Sequence, residues 1–241
     1  MDKKEYQKMY ELEDSHFWFL AKRYFVDSVL SAHVKKIDNI LDLGSGTGGM
    51  TKFLEKFGRV TGVEKNKLAV SLSKKRQVHV LNDNIQNLKL GSKKFDLVTI
   101  FDVLYHKDIK DVSNMLKNSY GFLKTNGLVL ITDSAFNFLK SSHDNAVHGV
   151  RRFRLNEIEK ILIENDFAIL KKSYIYFFIF PIIFIKRFIF DKLIHNSSSD
   201  VSDMPNLINL LILKILYIES KLFRYLSFPV GSSILILARK K

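Results

Sequence analysis

Short apolar runs alternate with amphipathic stretches along most of this chain. Residues 40–43, 59–63, 78–81, 94–101 and 128–132 read as strands. The fourth is almost continuously apolar, as suits a central parallel strand buried on both faces. Between these runs, residues 50–57, 66–75 and 108–123 carry helical spacing, and Asn126-Gly127 supplies the exit turn of the last helix. Strand alternating with helix implies right-handed crossovers. Asn156-Glu157-Ile158-Glu159 reads as an N-cap with an acid at N3, opening a helix that runs to about residue 165. Residues 167–173 and 233–238 read as sixth and seventh strands, with about sixty residues between them. Ahead of the first strand, residues 6–34 read as helical, and the aromatic-dense stretch 16–23 holds the only tryptophan. That helix either packs on the sheet or forms a lid over what the sheet binds. The expected division is a helical cap (1–36), a core (37–173 and 229–241) and an inserted segment (174–228).

The first strand ends in a carboxylate and a glycine loop, Asp42-Leu43-Gly44-Ser45-Gly46-Thr47-Gly48-Gly49. Gly44 and Gly46 can take positive φ and let a ligand approach bare backbone, with the amides of the next helix start facing it. Such loops occur in dinucleotide enzymes too, or serve tight packing alone. Here the acid lies inside the loop motif, and the second strand ends in Glu64, placed to accept hydrogen bonds from a ribose diol.

These residues together resemble motif I and the acidic loop of class I S-adenosylmethionine (SAM) methyltransferases. The resemblance implies an α/β, Rossmann-like, doubly wound and mostly parallel seven-stranded sheet, with an antiparallel last strand and a helical insertion. It implies that Asp42, Gly44, Ser45, Gly46, Thr47 and Gly48 hold the methionine part of SAM, and Glu64 with Lys65 the ribose. An acid four residues before Leu88 would bind adenine; that position is Asn84, and Asp83 lies one earlier, so the contact stays open between them, with Ile85 beside it. Phe101, Asp102 and Val103 join the cofactor candidates. His106, closing Asp102-Val103-Leu104-Tyr105-His106, matches the family's Asp-x-Leu-x-His and is a candidate base. Residues 142–153 resemble a His-Asp-x-x-x-x-His-x-Arg-Arg-aromatic loop of one bacterial subgroup, with His148 before a glycine rather than after it. His143 and His148 join the candidate bases. Asp144, Arg151 and Arg152 are candidate substrate residues, the arginines as an anion clamp or as partners of nearby acids. His16, Trp18 and Arg23 are expected near the substrate. No metal site is expected.

The chain has 241 residues, 46% of them hydrophobic, and no cysteine, which excludes disulfides and thiolate chemistry. Its charged beginning lacks an apolar signal core, so a cytoplasmic location is expected. A net charge of +13 fits nucleic acid, an anionic membrane or acidic substrates, and also an AT-rich genome's lysine usage. Neither a helix-turn-helix nor an aromatic–basic platform stands out, so nucleic acid is not favoured.

The insertion is the unusual part. Residues 174–185 are almost purely apolar before Lys186-Arg187, and Phe188-Ile189-Phe190 follows. After a polar linker, 196–203, and Pro205, a second apolar helix is expected over 207–226. Asn209, Lys214, Ser220, Lys221 and Arg224 share one face of it; Leu207, Leu211, Ile215, Ile218 and Leu222 fill the other, with Glu219 alone on the apolar side. Glu219 needs a partner, and Lys186 or Arg187 is expected to supply it. The inserted pair lies on a membrane, forms a dimer interface or covers the sheet. Pro205, Asn209, Pro229, Gly231 and Ser233 match further subgroup motifs. The function implied is SAM-dependent methylation of a small-molecule or lipid-linked acceptor at a membrane surface. The rivals are a non-catalytic binding module and an RNA methyltransferase.

Overall fold

The computed structural model describes residues 1–187 and 204–241. The strands are β1 (Asn39–Leu43), β2 (Arg59–Glu64), β3 (Val80–Asn82), β4 (Phe95–Phe101), β5 (Leu123–Ser134), β6 (Phe167–Ile175) and β7 (Ser233–Lys240). They form one sheet in the order β3-β2-β1-β4-β5-β7-β6. The first five strands are parallel, and β7 runs antiparallel to both β5 and β6. Strand order reverses beside β1, so the carboxyl ends of β1 and β4 flank the natural ligand crevice.

Helices α3 (Gly49–Leu54), α4 (Lys67–Lys75), α5 (Val112–Phe122), α6 (Ser142–Ala146) and α7 (Leu155–Glu164) connect the strands. One core layer packs α5 and α7 on the sheet through Leu116, Ile158 and Leu162. The other packs Phe25, Val26, Leu216 and Phe223 against Leu97, Leu130 and Leu235. Those residues come from the cap and the insertion, so both ends of the chain build the same layer.

Several boundaries differ from expectation. The leading helix is broken into α1 (Lys3–Leu12) and α2 (Phe17–His33), because His16 caps α2 by accepting the Trp18 amide at 3.2 Å. β5 begins at Leu123, pairs Phe95 with Leu123 and then Leu97 with Leu128. The intervening residues bulge out, and Asn126, at φ +60°, lies in that bulge rather than in a helix exit turn. Helix α7 starts one residue before Asn156: Arg154 is its cap, and the Glu157 carboxylate accepts the Arg154 amide at 2.7 Å.

In the insertion, α8 spans Phe180–Ile185 and α9 spans Asn206–Phe223; Phe188-Ile189-Phe190 and the polar linker 196–203 lie outside the described residues. Asn209 pins α9 to the α1–α2 break, accepting the Phe17 amide at 2.7 Å and donating to the Ser15 carbonyl at 2.9 Å. The sequence expectation for Glu219 is corrected. It is fully buried, and its carboxylate accepts the Phe177 and Phe178 amides at 2.8 and 3.0 Å, whereas Arg187 donates to the Leu139 carbonyl. The stripe Leu207, Leu211, Ile215, Ile218 and Leu222 faces outward, 39–68% exposed, so it does not cover the sheet. No described helix is long and apolar enough to cross a membrane.

Candidate functional site

At the carboxyl ends of β1, β2 and β4 lies a chamber of about 220 Å³. Gly44, Ser45 and Gly46 form one wall. Gly44, at φ +79°, lies so close to Val103 that a side chain would collide with it. Glu64 braces the loop, accepting the Gly46 amide at 3.1 Å and the Asn66 amide at 2.7 Å. Burial raises the Glu64 carboxyl above its ordinary range, against those two amides. The Ser45 hydroxyl is buried, has no protein partner and belongs to the same wall.

Asp42 also borders the chamber, but both its oxygens are taken: Thr99 and Thr51 hydroxyls each donate to it at 2.7 Å. It staples β1 to β4 and α3. Thr47 donates to Glu13 at 2.6 Å, and neither Thr47 nor Gly48 reaches the chamber wall; Gly48 instead caps α3 at φ +88°. Asp83, Asn84 and Ile85 line the far side. There Asp83 accepts the Asn84 amide at 2.7 Å and Asn84 accepts the Gln86 amide at 3.1 Å. Lys65, at the rim, is ion-paired with Asp108. Phe101, Asp102 and Val103 form the floor.

A second chamber of about 200 Å³ adjoins the first. Trp18, Asp102, Tyr105, His143 and Val147 line both, so they form the junction. The second chamber is walled by Phe17 of α2, Ile179 just before α8, Ile182 and Ile183 of α8 and Ile212 of α9, with Asp144, Arg152, Lys186 and Arg187 also in its lining. His16 and Ser232 border it, and the buried Ser232 hydroxyl has no protein partner.

Two groups the sequence reading missed organise the junction. Lys22, 4% exposed, forms an ion pair with Asp102. Its signal was its place on the buried arc of α2, with Ala21, Phe25, Val26 and Val29. Asp133 is fully buried and accepts the Leu104, Tyr105 and Ser134 amides at 2.8, 3.3 and 2.7 Å. Burial first, then the Asp102 charge, raises its carboxyl to about 8, outweighing those amides. It braces the loop that carries Asp102, itself held at φ +55°.

The expected substrate residues separate. His106 borders only the first chamber, and burial, then the nearby α-ammonium, lowers its imidazole to about 4. His148 borders neither chamber and meets Asp2 at 3.0 Å. Only His143 of the three stands at the junction. Arg152 is buried and clasps Asp144 through two bonds of 2.8 and 2.9 Å, while Arg151 donates to the Ile109 carbonyl at 2.7 Å. The two arginines therefore do not form one clamp. Arg23 joins Asp14 and the Glu13 carbonyl, away from both chambers. Among the described residues no cluster of histidine and acid side chains could hold a metal.

Residues 41–131 match a methyltransferase domain model. An uncharacterized methyltransferase from Alkaliphilus oremlandii is 27% identical over 143 residues, which span 58% of this chain and 62% of that protein. Residues 41–131 are thus similar to a methyltransferase domain, and the chain spans less than two thirds of the length of the curated relative. Solved structures share its fold. The plantazolicin methyltransferase BpumL, crystallised with S-adenosylhomocysteine (SAH) and a pentazolic desmethylPZN analog, superposes with TM-score 0.62 at 16% identity, over 100% of this chain and 91% of its own. Haemonchus contortus phosphoethanolamine N-methyltransferase 2 with SAM gives 0.59 at 20% identity, over 90% of this chain and 52% of its own. The N-methyltransferase NodS of Bradyrhizobium japonicum with SAH gives 0.56 at 15%, over 95% and 90%.

The lining of the first chamber has groups that would suit SAM. It offers an unpartnered buried hydroxyl at Ser45, a carboxylate at the tip of β2, and two short polar side chains beside Ile85. The cap completes it: Tyr6, Met9 and Glu13 line the opposite side, and none of them stood out in the sequence. Burial raises both the Tyr6 phenol and the Glu13 carboxyl.

Proposed function

We propose that this protein transfers the methyl group of SAM to a small-molecule or lipid-linked amphiphile bound in the second chamber, at a membrane surface. The observation that carries the reading is the pair of chambers meeting at Trp18, Asp102, Tyr105 and His143. In this reading the 44–46 loop holds the methionine end, Glu64 the ribose, and Asp83 or Asn84 with Ile85 the adenine.

SAM, when bound, supplies a methyl group already activated by its sulfonium charge. The chain's own residues position the acceptor, exclude water and take a proton where the nucleophile carries one. Of the three histidines expected as bases, His143 alone borders both chambers and takes that role. His106, lowered to about 4, is neutral at pH 7 but too weak a base to compete. The Lys22–Asp102 pair fixes the junction floor, and Asp144 and Arg152, clasped to each other, form part of the second chamber's lining. The apolar walls from α8 and α9 suit a hydrocarbon-bearing acceptor better than a nucleotide or a sugar alone.

The test uses methyl-labelled SAM with purified protein and lipid extract, partitioned between organic solvent and water. Label entering the organic phase, and falling at least tenfold in His143→Ala with SAH affinity intact, supports the reading. Label appearing only in added RNA, or in water-soluble product with the lipid untouched, contradicts it.

A further inference from the structure

Among the described residues, the second chamber is not closed on the side of the insertion. Ile182 lines it and is also 66% exposed, so it stands at a mouth. Ile212 lines it from α9, and its neighbours Ile208, Leu211 and Ile215 on that helix are 43–52% exposed. The apolar lining thus runs without interruption from the chamber, through Ile182 and Ile212, onto the outer surface. There Leu207, Ile218, Leu222 and Tyr225 extend it along the helix, all 39–79% exposed. An outward apolar stripe of this length is not left to water without a partner.

The charges beside the stripe choose the partner. Lys214, Lys221 and Arg224 are exposed and lie along one border of it, at the positions an interfacial helix gives its basic residues. No acidic residue of α9 is exposed, because Glu219 turns inward to the Phe177 and Phe178 amides. A second copy of the chain would bring this cationic border, and a second charge of +13, against its like. An anionic surface would be attracted instead.

We propose that the outer faces of α8 and α9 lie in an anionic lipid leaflet, and that the acceptor's hydrocarbon chain enters the second chamber sideways from that leaflet, past Ile182. This deepens the reading above and rests on it for the acceptor alone; the docking itself stands on exposure and charge. The inner face of α9 stays on α2 through Leu216, Ser220 and Phe223, so the helix lies on the leaflet without leaving the protein.

The experiment is co-sedimentation of the full chain with vesicles of phosphatidylcholine alone or mixed with phosphatidylglycerol, beside calorimetry with SAH on the same preparations. Binding to the mixed vesicles is expected, weakened by salt, and weakened about tenfold or more in Leu211→Ser/Ile215→Ser/Ile218→Ser and in Lys214→Ala/Lys221→Ala/Arg224→Ala. Depth is read in a Trp18→Phe background, with a single tryptophan placed at Ile182, Ile218 or, on the opposite side of the sheet, the exposed Ile163. Acyl-chain-brominated lipid should quench Ile182→Trp and Ile218→Trp and spare Ile163→Trp. Quenching at Ile218→Trp without Ile182→Trp would overturn sideways entry. Absence of vesicle binding, binding the substitutions leave unchanged, or a concentration-dependent dimer that the serine variant dissolves would overturn the docking surface. SAH binding without vesicle binding leaves the methyltransferase reading standing. Vesicle binding without SAH binding removes that reading and keeps the surface.

Discussion

Trp18 lies flat on Tyr176, with ring centroids 4.3 Å apart and planes within 4°, and the Tyr176 hydroxyl donates to the Trp18 carbonyl at 2.8 Å. This pair joins the cap to the residue where β6 gives way to the insertion. Because Trp18 borders both chambers, the pair is also part of the partition between them. It is the only tryptophan, so its emission reports the partition directly. SAH should change that emission in the wild type. Trp18→Phe should remove the signal while calorimetry still detects binding. An unchanged wild-type spectrum with saturating SAH would place the cofactor elsewhere.

Glu219 supports the insertion by accepting two backbone amides in a site with no exposure. Glu219→Ala strands both amides and should cost about 2–4 kcal/mol of stability. Glu219→Gln offers one acceptor oxygen and turns an NH₂ toward the other amide, so it should lie between wild type and alanine. Chemical denaturation of the three proteins checks the order; a wild-type-like alanine variant would contradict the account.

Asp133 gives a pH signature. Its folded carboxyl sits at about 8 against an ordinary 3.8, so the folded chain holds a proton that the unfolded chain has released between those values. Its stabilising share is complete below about pH 4 and is lost as pH rises toward 8. The expected slope from this group is at most about 1.4 kcal/mol per pH unit. Other raised carboxyls add to the total, so the comparison is with Asp133→Asn. The difference in unfolding free energy between variant and wild type should change from pH 5 to 8 and level off above 8. A constant difference would mean that Asp133 is ionised in the fold.

Arg76 latches the cap. It donates to Asp14 and to the Tyr10 carbonyl, approaches Glu13 at 3.3 Å and stacks over the Tyr10 ring at 4.5 Å. Arg76→Ala should loosen α1, which covers the cofactor chamber. Limited proteolysis near residues 13–16 should speed up, and SAH affinity should fall roughly tenfold through lost preorganisation. Unchanged affinity with faster cleavage would show that the cap does not cover the ligand.

The core was readable because a buried parallel strand has to be a near-continuous apolar run, as in Phe95–Phe101, and because a glycine loop followed by an acid-tipped strand marks the ligand end of such a sheet. The β5 bulge was not, since nothing local distinguishes Asn126-Gly127 in a helix exit from the same pair in a strand irregularity. The wheel of α9 set Lys214, Lys221 and Arg224 beside the apolar stripe, but it put Asn209 and Ser220 with them, and those two turn to α2 and the α1–α2 break instead. It could not show that the stripe faces outward, because Leu216 and Phe223 bury the opposite side through contacts with α2 that are distant in sequence. The same distance hid Lys22 and Asp133, which meet Asp102, Leu104 and Tyr105 on the loop after β4. Arg151 and Arg152 misled for a different reason: adjacent side chains in an extended segment point apart, so Arg152 turns inward to Asp144 and Arg151 does not follow.

The most direct measurement is titration calorimetry of SAM and SAH against the full chain and Glu64→Ala. The account predicts micromolar binding of both to the wild type and a loss of at least tenfold in the variant, which should remain folded by circular dichroism. Absence of heat and of competition with folded wild-type protein would contradict the account, because the chamber at β1, β2 and β4 would then hold something other than SAM.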